Sequence, residues 1–307
     1  MKKNNKIKLM IILSMMLLLT GCTKYLQDEN KKSVINSSTG QSITENVLCK
    51  PKDKETLKIY EEHNVNLNKL PECEDFKITS GGYEGLWNSI FVKPLAFIIL
   101  KVGQIVRNYG LAIIVTSILI RLIALPITKK TAIQSELIKK AKPELDKLEK
   151  KYANKTDQQS VMNKSREMTL IYKKYNINPV AGCLYAMLQL PIFIAFLEAI
   201  NRVPALFEGS FLTLKMGLTP YIAITHGQFW YIILTILVGL TTYFSFKLNT
   251  TSTSVEQAKT MTKAMVIMIV VMSVFMSSAL NIYWITTNLF TIVQNILVKG
   301  GNKDAKI

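Results

Sequence analysis

The run Tyr109-Gly110-Leu111-Ala112-Ile113-Ile114-Val115-Thr116-Ser117-Ile118-Leu119-Ile120-Arg121-Leu122-Ile123-Ala124-Leu125-Pro126-Ile127 contains a single charged residue, Arg121. As a helix it would reach about 28 Å, close to the ~30 Å of a bilayer's hydrocarbon core. Lys129 and Lys130 follow at once and place that end near the headgroups. Arg121 lies eight residues earlier, about 12 Å deeper, and so close to the bilayer centre. A charge there costs at least roughly 2.5–3.5 kcal/mol unless it meets water or a partner. One reading is that the side chain snorkels to the cytoplasmic face, at the limit of its reach. The other is a wetted cavity inside the membrane, and the depth favours it.

The chain of 307 residues has a net charge of +17 and a mean hydropathy of +0.21. It contains several separate apolar runs of spanning length, which no soluble core requires. The fold class expected is an all-α membrane protein with five transmembrane helices, a cytoplasmic helical hairpin and an outer amphipathic helix. The five-span core covers 109–300, with spans at 109–128, 179–200, 229–246, 264–278 and 279–298. The last two come from splitting one long apolar run near Ser277-Ser278. A cytoplasmic tail, 301–307, closes the chain. The hairpin fills 129–176, where apolar residues recur at helical spacing on both sides of a turn near Asn154. Glu136–Lys140 and Asp146–Lys150 are favourably ordered helical pairs, and Pro143 should kink the first arm. The hairpin is either a plain connector or a docking surface.

At the other end, four lysines precede the apolar segment Leu9–Leu19, which reads as a secretory signal over 1–21. It ends in Leu19-Thr20-Gly21-Cys22, which resembles a bacterial lipobox. Cys22 would then carry an S-diacylglyceryl group and an N-acyl chain, an anchor to the outer leaflet. Residues 22–85 are polar, without convincing periodicity, and read as an extended extracytoplasmic tether. Residues 86–108 read as an interfacial amphipathic helix interrupted by Lys93 and Lys101. Cys49 and Cys73 lie in the outer stretch, and the sequence leaves open whether they form a disulfide.

Orientation follows from the basic residues in the connections. The hairpin carries thirteen Lys and Arg, the next loop only Arg202 and Lys215, and the loop after it Lys247, Lys259 and Lys263. The turn at Ser277 has none, and the tail has Lys299, Lys303 and Lys306. That alternation puts hairpin and tail inside and the lipobox end outside, in a bacterial plasma membrane. A basic excess of this kind suits anionic lipid, and no nucleic-acid module is visible.

Three spans place a polar residue at one depth: Arg121, Gln189 and Asn288. Ser117 shares the face of Arg121, and Trp284 shares the stripe of Asn281, Asn288 and Asn295. Ordinary hydrogen bonding between helices would account for Gln189 or Asn288 alone, at roughly 0.6 kcal/mol per pair. With an arginine at the same depth, a hydrated positive groove accounts for all three. Met261, Met265, Met268, Met272 and Met276 form a stripe on the fourth span, either packing or offering a compliant apolar surface. No HExxH, GxSxG or P-loop occurs, and no cofactor is called for.

These residues together resemble the YidC/Oxa1/Alb3 family of membrane protein insertases, in its short Gram-positive lipoprotein form. The resemblance covers about 109–294. It rests on Arg121 with Pro126, on Asn178-Pro179…Gly182-Cys183-Leu184…Gln189-Leu190-Pro191, and on Tyr283-Trp284…Asn288-Leu289-Phe290…Gln294. It implies a non-enzymatic insertase and chaperone with a hydrophilic groove open to cytoplasm and lipid, formed here by Arg121, Ser117, Gln189, Trp284, Asn288 and Ser245. Ser245 stands where the family often has a glutamine, and Ser277 and Ala279 stand where Pro and Gly are usual. The partners implied are nascent membrane proteins and membrane lipids. The Sec translocon, the ribosome and signal recognition components are further candidates, and nucleic acid is not. A transporter or channel with Arg121 in an anion site is the runner-up, weakened by the lack of internal repeats; an assembly scaffold is the third reading.

Overall fold

The computed structural model describes residues 23–178, 180–248 and 255–304. The signal segment and Cys22 lie outside the described residues, as do the side chains of Cys183 and Met261.

Residues 23–85 are not extended. Two turns capped by their own side chains start the fold. Asp28 Oδ1 accepts the Asn30 and Lys32 N–H groups at 2.9 and 2.8 Å, and Asn36 Oδ1 accepts those of Ser38 and Thr39 at 2.9 and 3.2 Å. The turns pair Gln27 with Ser33, Ile35 with Ser42 and Tyr25 with Thr44. Leu26, Ile43, Val47 and Tyr60 then close a small core. Helix α1 (Lys54–Glu62) starts at Asp53, whose carboxylate accepts the Thr56 N–H at 2.8 Å. Cys49 and Cys73, both buried, are joined by a disulfide.

This cap runs directly into the helical bundle. A π-helical turn (Asn88–Val92) leads into α2 (Lys93–Val106). Arg107 in the left-handed region (φ 53°) and extended Asn108 break the helix, and Asn108 Oδ1 then accepts the Leu111 N–H at 3.0 Å. That N-cap opens α3 (Tyr109–Tyr152), one helix of 44 residues that passes Pro126 and Pro143 without ending. The first span and the first arm of the hairpin are thus continuous.

The second arm, α4 (Gln158–Lys174), starts at Asp157, whose carboxylate accepts the Ser160 N–H at 2.8 Å. It packs on α3 through Ile138, Ala141, Leu145, Met168 and Tyr172. Lys151–Glu167 (2.6 Å), Lys164–Glu149 (3.1 Å) and Lys174–Glu144 (2.5 Å) flank that seam. Glu136 pairs with Lys139 at 2.7 Å, not with Lys140, because the Lys139 ammonium also reaches the Leu248 carbonyl at 2.7 Å.

Next come α5 (Val180–Asn201), α6 (Pro204–Glu208), an antiparallel pair β1 (Ser210–Phe211) and β2 (Leu214–Lys215), and α7 (Pro220–Thr225). A 3₁₀ turn (Phe229–Tyr231) opens α8 (Ile232–Leu248), followed by α9 (Val255–Phe275) and α10 (Ser278–Asp304). The break between α9 and α10 falls at Met276-Ser277. Its free N–H groups find partners in the loop before α7: Ser278 and Ala279 donate to the Leu218 and Met216 carbonyls at 3.1 and 3.0 Å. Asn281 Nδ2 reaches back to the Ser273 carbonyl at 3.0 Å. The loop before α9 is shorter than expected, because the helix already begins at Val255.

The protein is mostly helical. Among the described residues, three helical stretches are long and apolar enough to cross a membrane: Asn88–Val106, Tyr109–Tyr152 and Phe229–Leu248. The first of these is the stretch expected to lie along the interface. Gln189–Asn201 and Thr262–Phe275 are apolar but shorter. Helix α10 packs mainly between α3 and α8; α5 packs on α3 and also meets α10 through Phe193 and Phe196, and α9 packs on α8.

Candidate functional site

Along the buried face of α3, Ser117, Arg121, Ala124, Thr128, Thr131 and Ser135 follow one another, with Thr116 and Ala132 buried beside them. The spacing alternates four and three residues, so these side chains form one straight polar stripe. Arg121 is 5% exposed and Ser117 is 1% exposed, its hydroxyl donating to the Ile113 carbonyl at 2.6 Å. The stripe faces α10, since Gln294 Nε2 donates to Thr128 Oγ1 at 3.0 Å.

Register fixes the residues level with Arg121. The first turns of α3, α8 and α10 all meet the loop 211–218: Phe211 packs on Gly110, where a Cβ would have no room, Tyr231 accepts the Lys215 N–H at 2.7 Å, and Ala279 bonds Met216. These three helices are therefore parallel. Seven residues before the Thr128–Gln294 bond, Arg121 comes level with Thr287, beside Asn288. Asn288 Nδ2 in turn donates to Thr242 Oγ1 of α8 at 2.9 Å. Ser245, one turn further along α8, is buried on the same face.

Helix α5 runs the opposite way, ending at the same loop. The Trp284 ring meets Phe193 edge-on with centroids 4.9 Å apart. Gln189 lies one turn before Phe193 and Asn288 one turn after Trp284, so antiparallel packing brings these two amides to one level as well. Gln189 and Asn288 are half-buried. Of the six residues singled out in the sequence, five thus fall in two adjacent layers of the bundle and Ser245 lies one turn further along; Cys22 alone lies outside the described residues.

The three asparagines expected on one stripe do three jobs. Asn281 closes the α9–α10 turn, Asn288 links α10 to α8, and Asn295 donates to the Thr291 carbonyl at 2.8 Å. Among the described residues, Thr116 Oγ1, Thr235 Oγ1 and Asn295 Oδ1 are buried without a hydrogen-bond partner. Buried polar atoms of that kind ordinarily meet water. Met268 and Met272 are exposed and turn away from the buried α9 face of Ile269 and Ser273.

Sequence reasoning missed a second polar cluster, at the cap end of the bundle. Glu198 and Arg202 stand at i,i+4 spacing, which alone would suggest a helical pair, yet both are buried and take other partners. Arg202 Nη2 reaches Glu84 at 2.5 Å, Nη1 reaches Asn88 at 3.0 Å, and Nε donates to the Asn46 carbonyl at 2.6 Å. Lys93 shares the Glu84 carboxylate at 3.1 Å and donates to the Ser80 and Gly82 carbonyls. Glu198 Oε1 accepts the Trp87 indole N–H at 3.0 Å. The available signal was Glu84 and Lys93 on either side of Trp87, which makes sense only once the cap is folded.

The family described as 60Kd inner membrane protein matches residues 101–305. The membrane protein insertase YidC of Oceanobacillus iheyensis is 36% identical over 224 residues, 70% of this chain and 84% of that one. The membrane protein insertase MisCA of Bacillus subtilis is 36% identical over 217 residues, 70% of this chain and 79% of that one. One from Listeria innocua, named membrane protein insertase YidC 2, is 30% identical over 226 residues, 72% and 75%. The matched region takes in α3, α5, α8 and α10, and with them every residue of the two layers. The chain belongs to the YidC/Oxa1/Alb3 family.

Proposed function

We propose that the chain is a membrane protein insertase, working in a bacterial plasma membrane on newly made membrane proteins. The observation that carries this reading is Arg121, buried on a stripe of hydroxyl groups along α3 and level with the amides of Gln189 and Asn288. The names of its relatives supply the class of client.

In this account five helices span: α3 through about residue 128, then α5, α8, α9 and α10. The hairpin and the end of α10 face the cytoplasm, and the cap faces outward, anchored by acyl groups on Cys22. Arg121, Ser117, Gln189, Trp284, Asn288 and Ser245 line a wet groove. A client's polar or acidic outer segment enters that groove, drawn by the guanidinium, while its apolar helix passes into lipid beside it. Met268 and Met272 offer that helix a compliant surface. Transfer of the apolar helix from water to lipid supplies the driving free energy, and the groove lowers the barrier by hydrating the polar segment on its way across. No covalent step and no cofactor is involved. The Sec translocon and the ribosome would act as collaborators at the lipid-facing and cytoplasmic sides.

The test is insertion of a small single-span client into liposomes holding only this purified protein, read by protease protection of its tail. Protection well above that of empty liposomes is expected. Protection at the empty-liposome level, with solute flux through the same vesicles, would replace the insertase reading with a transporter.

A further inference from the structure

An apolar groove of about 680 Å³ lies on the side of α10 between α3 and α8. Ile118 of α3 and Leu237 of α8 form its walls, and Ile282, Leu289 and Val293 of α10 its floor. Phe211, Leu214 and Trp230 roof the outer end. Among the described residues, the polar ones that line it are Thr213 and Thr286. None of the proposed client-groove residues takes part.

We infer that this groove holds one acyl chain of an outer-leaflet phospholipid. Three observations point to that occupant. The floor runs eleven residues from Ile282 to Val293, about 16 Å, which is half of a ~30 Å hydrocarbon core and so the depth of one leaflet. The volume holds on the order of twenty groups of ~30 Å³, the size of one long hydrocarbon chain with some slack. A spanning helix, about 10 Å across and ~30 Å long, would need over ~2,000 Å³. The roof lies at the first turns of α3 and α8, where Lys215 follows Leu214 and is exposed beside it. An ammonium there suits a lipid phosphate above a buried tail. The chain would fill the gap between two helices that meet mainly through α10, so the lipid acts as a packing element of the bundle.

The inference rests on α3 and α8 lying in a bilayer with their first turns outward. Purified, delipidated protein in detergent is titrated with brominated phosphatidylcholine and tryptophan quenching is followed. The share from Trp230 is the difference between the native protein and Trp230→Phe. Saturable quenching at one lipid per protein is expected, lost in Leu237→Phe/Leu289→Phe and kept in Ile236→Phe, whose exposed side chain lies outside the groove. Val293→Phe stands in if the double variant does not fold. The inference would be overturned by quenching that never saturates, by saturation unchanged by groove filling, or by saturation seen only in Cys22→Ser, which would give the groove to the chain's own acyl groups. Displacement by a single-span client peptide would hand it to the client instead. Because no client is needed for the titration, a protein that binds lipid but inserts nothing ends the insertase reading and leaves this one intact.

Discussion

The molecule buries two arginines in different parts of the fold. Arg202, 1% exposed, sits in a cage of one carboxylate, one side-chain amide and one backbone carbonyl, each within 3.0 Å. Arg121, 5% exposed, lies on a stripe whose other members are hydroxyls and an alanine, and the groups brought level with it are Thr287, Asn288 and Gln189. The first arrangement ties a charge to three partners within the fold and so fixes geometry. The second sets a charge on a stripe of hydroxyls, level with side-chain amides of two other helices.

The contrast gives a set of expected outcomes. The largest is at the cap. Replacing Cys49 and Cys73 by serine opens a loop with a sequence separation of 24, worth about 3–3.5 kcal/mol of cap stability in the chain-entropy account. Amide exchange in α1 should rise while α3 and α10 stay protected; equal loss in all three would mean the cap and bundle unfold together. Arg202→Ala comes next, at roughly 2–4 kcal/mol, below the full cost of breaking a buried pair because Glu84 keeps solvent contact. It should lower thermal stability far more than Arg121→Ala; the reverse order would erase the contrast. Thr128→Val, which removes the bond to Gln294, should cost on the order of 0.6–1.7 kcal/mol in thermal denaturation. A loss above that range would mark the stripe as structural.

The smallest effect is in the hairpin, where pH is the lever. The Lys174 ammonium, then the Tyr175 hydroxyl, hold the Glu144 carboxyl below its usual 4.5, and Lys151 with Tyr152 does the same for Glu167. A carboxyl depressed on folding stabilises above its unfolded value, and that contribution is lost as pH falls through the lower folded one. Hydrogen exchange in α4, corrected for intrinsic rates, should therefore quicken only below about pH 4.5 and only slightly, since both groups face solvent. Quickening on the alkaline side would contradict the sign.

The bundle was legible in the sequence because apolar length and helical period survive in any context. The common level proposed for Arg121, Gln189 and Asn288 comes from counting along helices, which needs only the positions of the charged ends. The cap was not legible. Its core is four scattered residues, and its order comes from Asx turns at Asp28 and Asn36 and from contacts far along the chain. Gly40 illustrates this: at φ 75°, with Ile222 Cγ1 2.5 Å from where a Cβ would stand, it is the point where a cap turn presses on α7. In sequence it is one glycine in a polar stretch. Glu198 and Arg202 misled for the same reason, because i,i+4 spacing indicates reach but not which partner offers better geometry.

The central claim is that Arg121 acts by charge on the client. Two single-span clients that differ only in an acidic or a neutral outer tail would be inserted into liposomes by native and Arg121→Ala protein, with protease protection as the readout. The account predicts a large loss for the acidic tail and a small one for the neutral tail. Equal losses for both would contradict it.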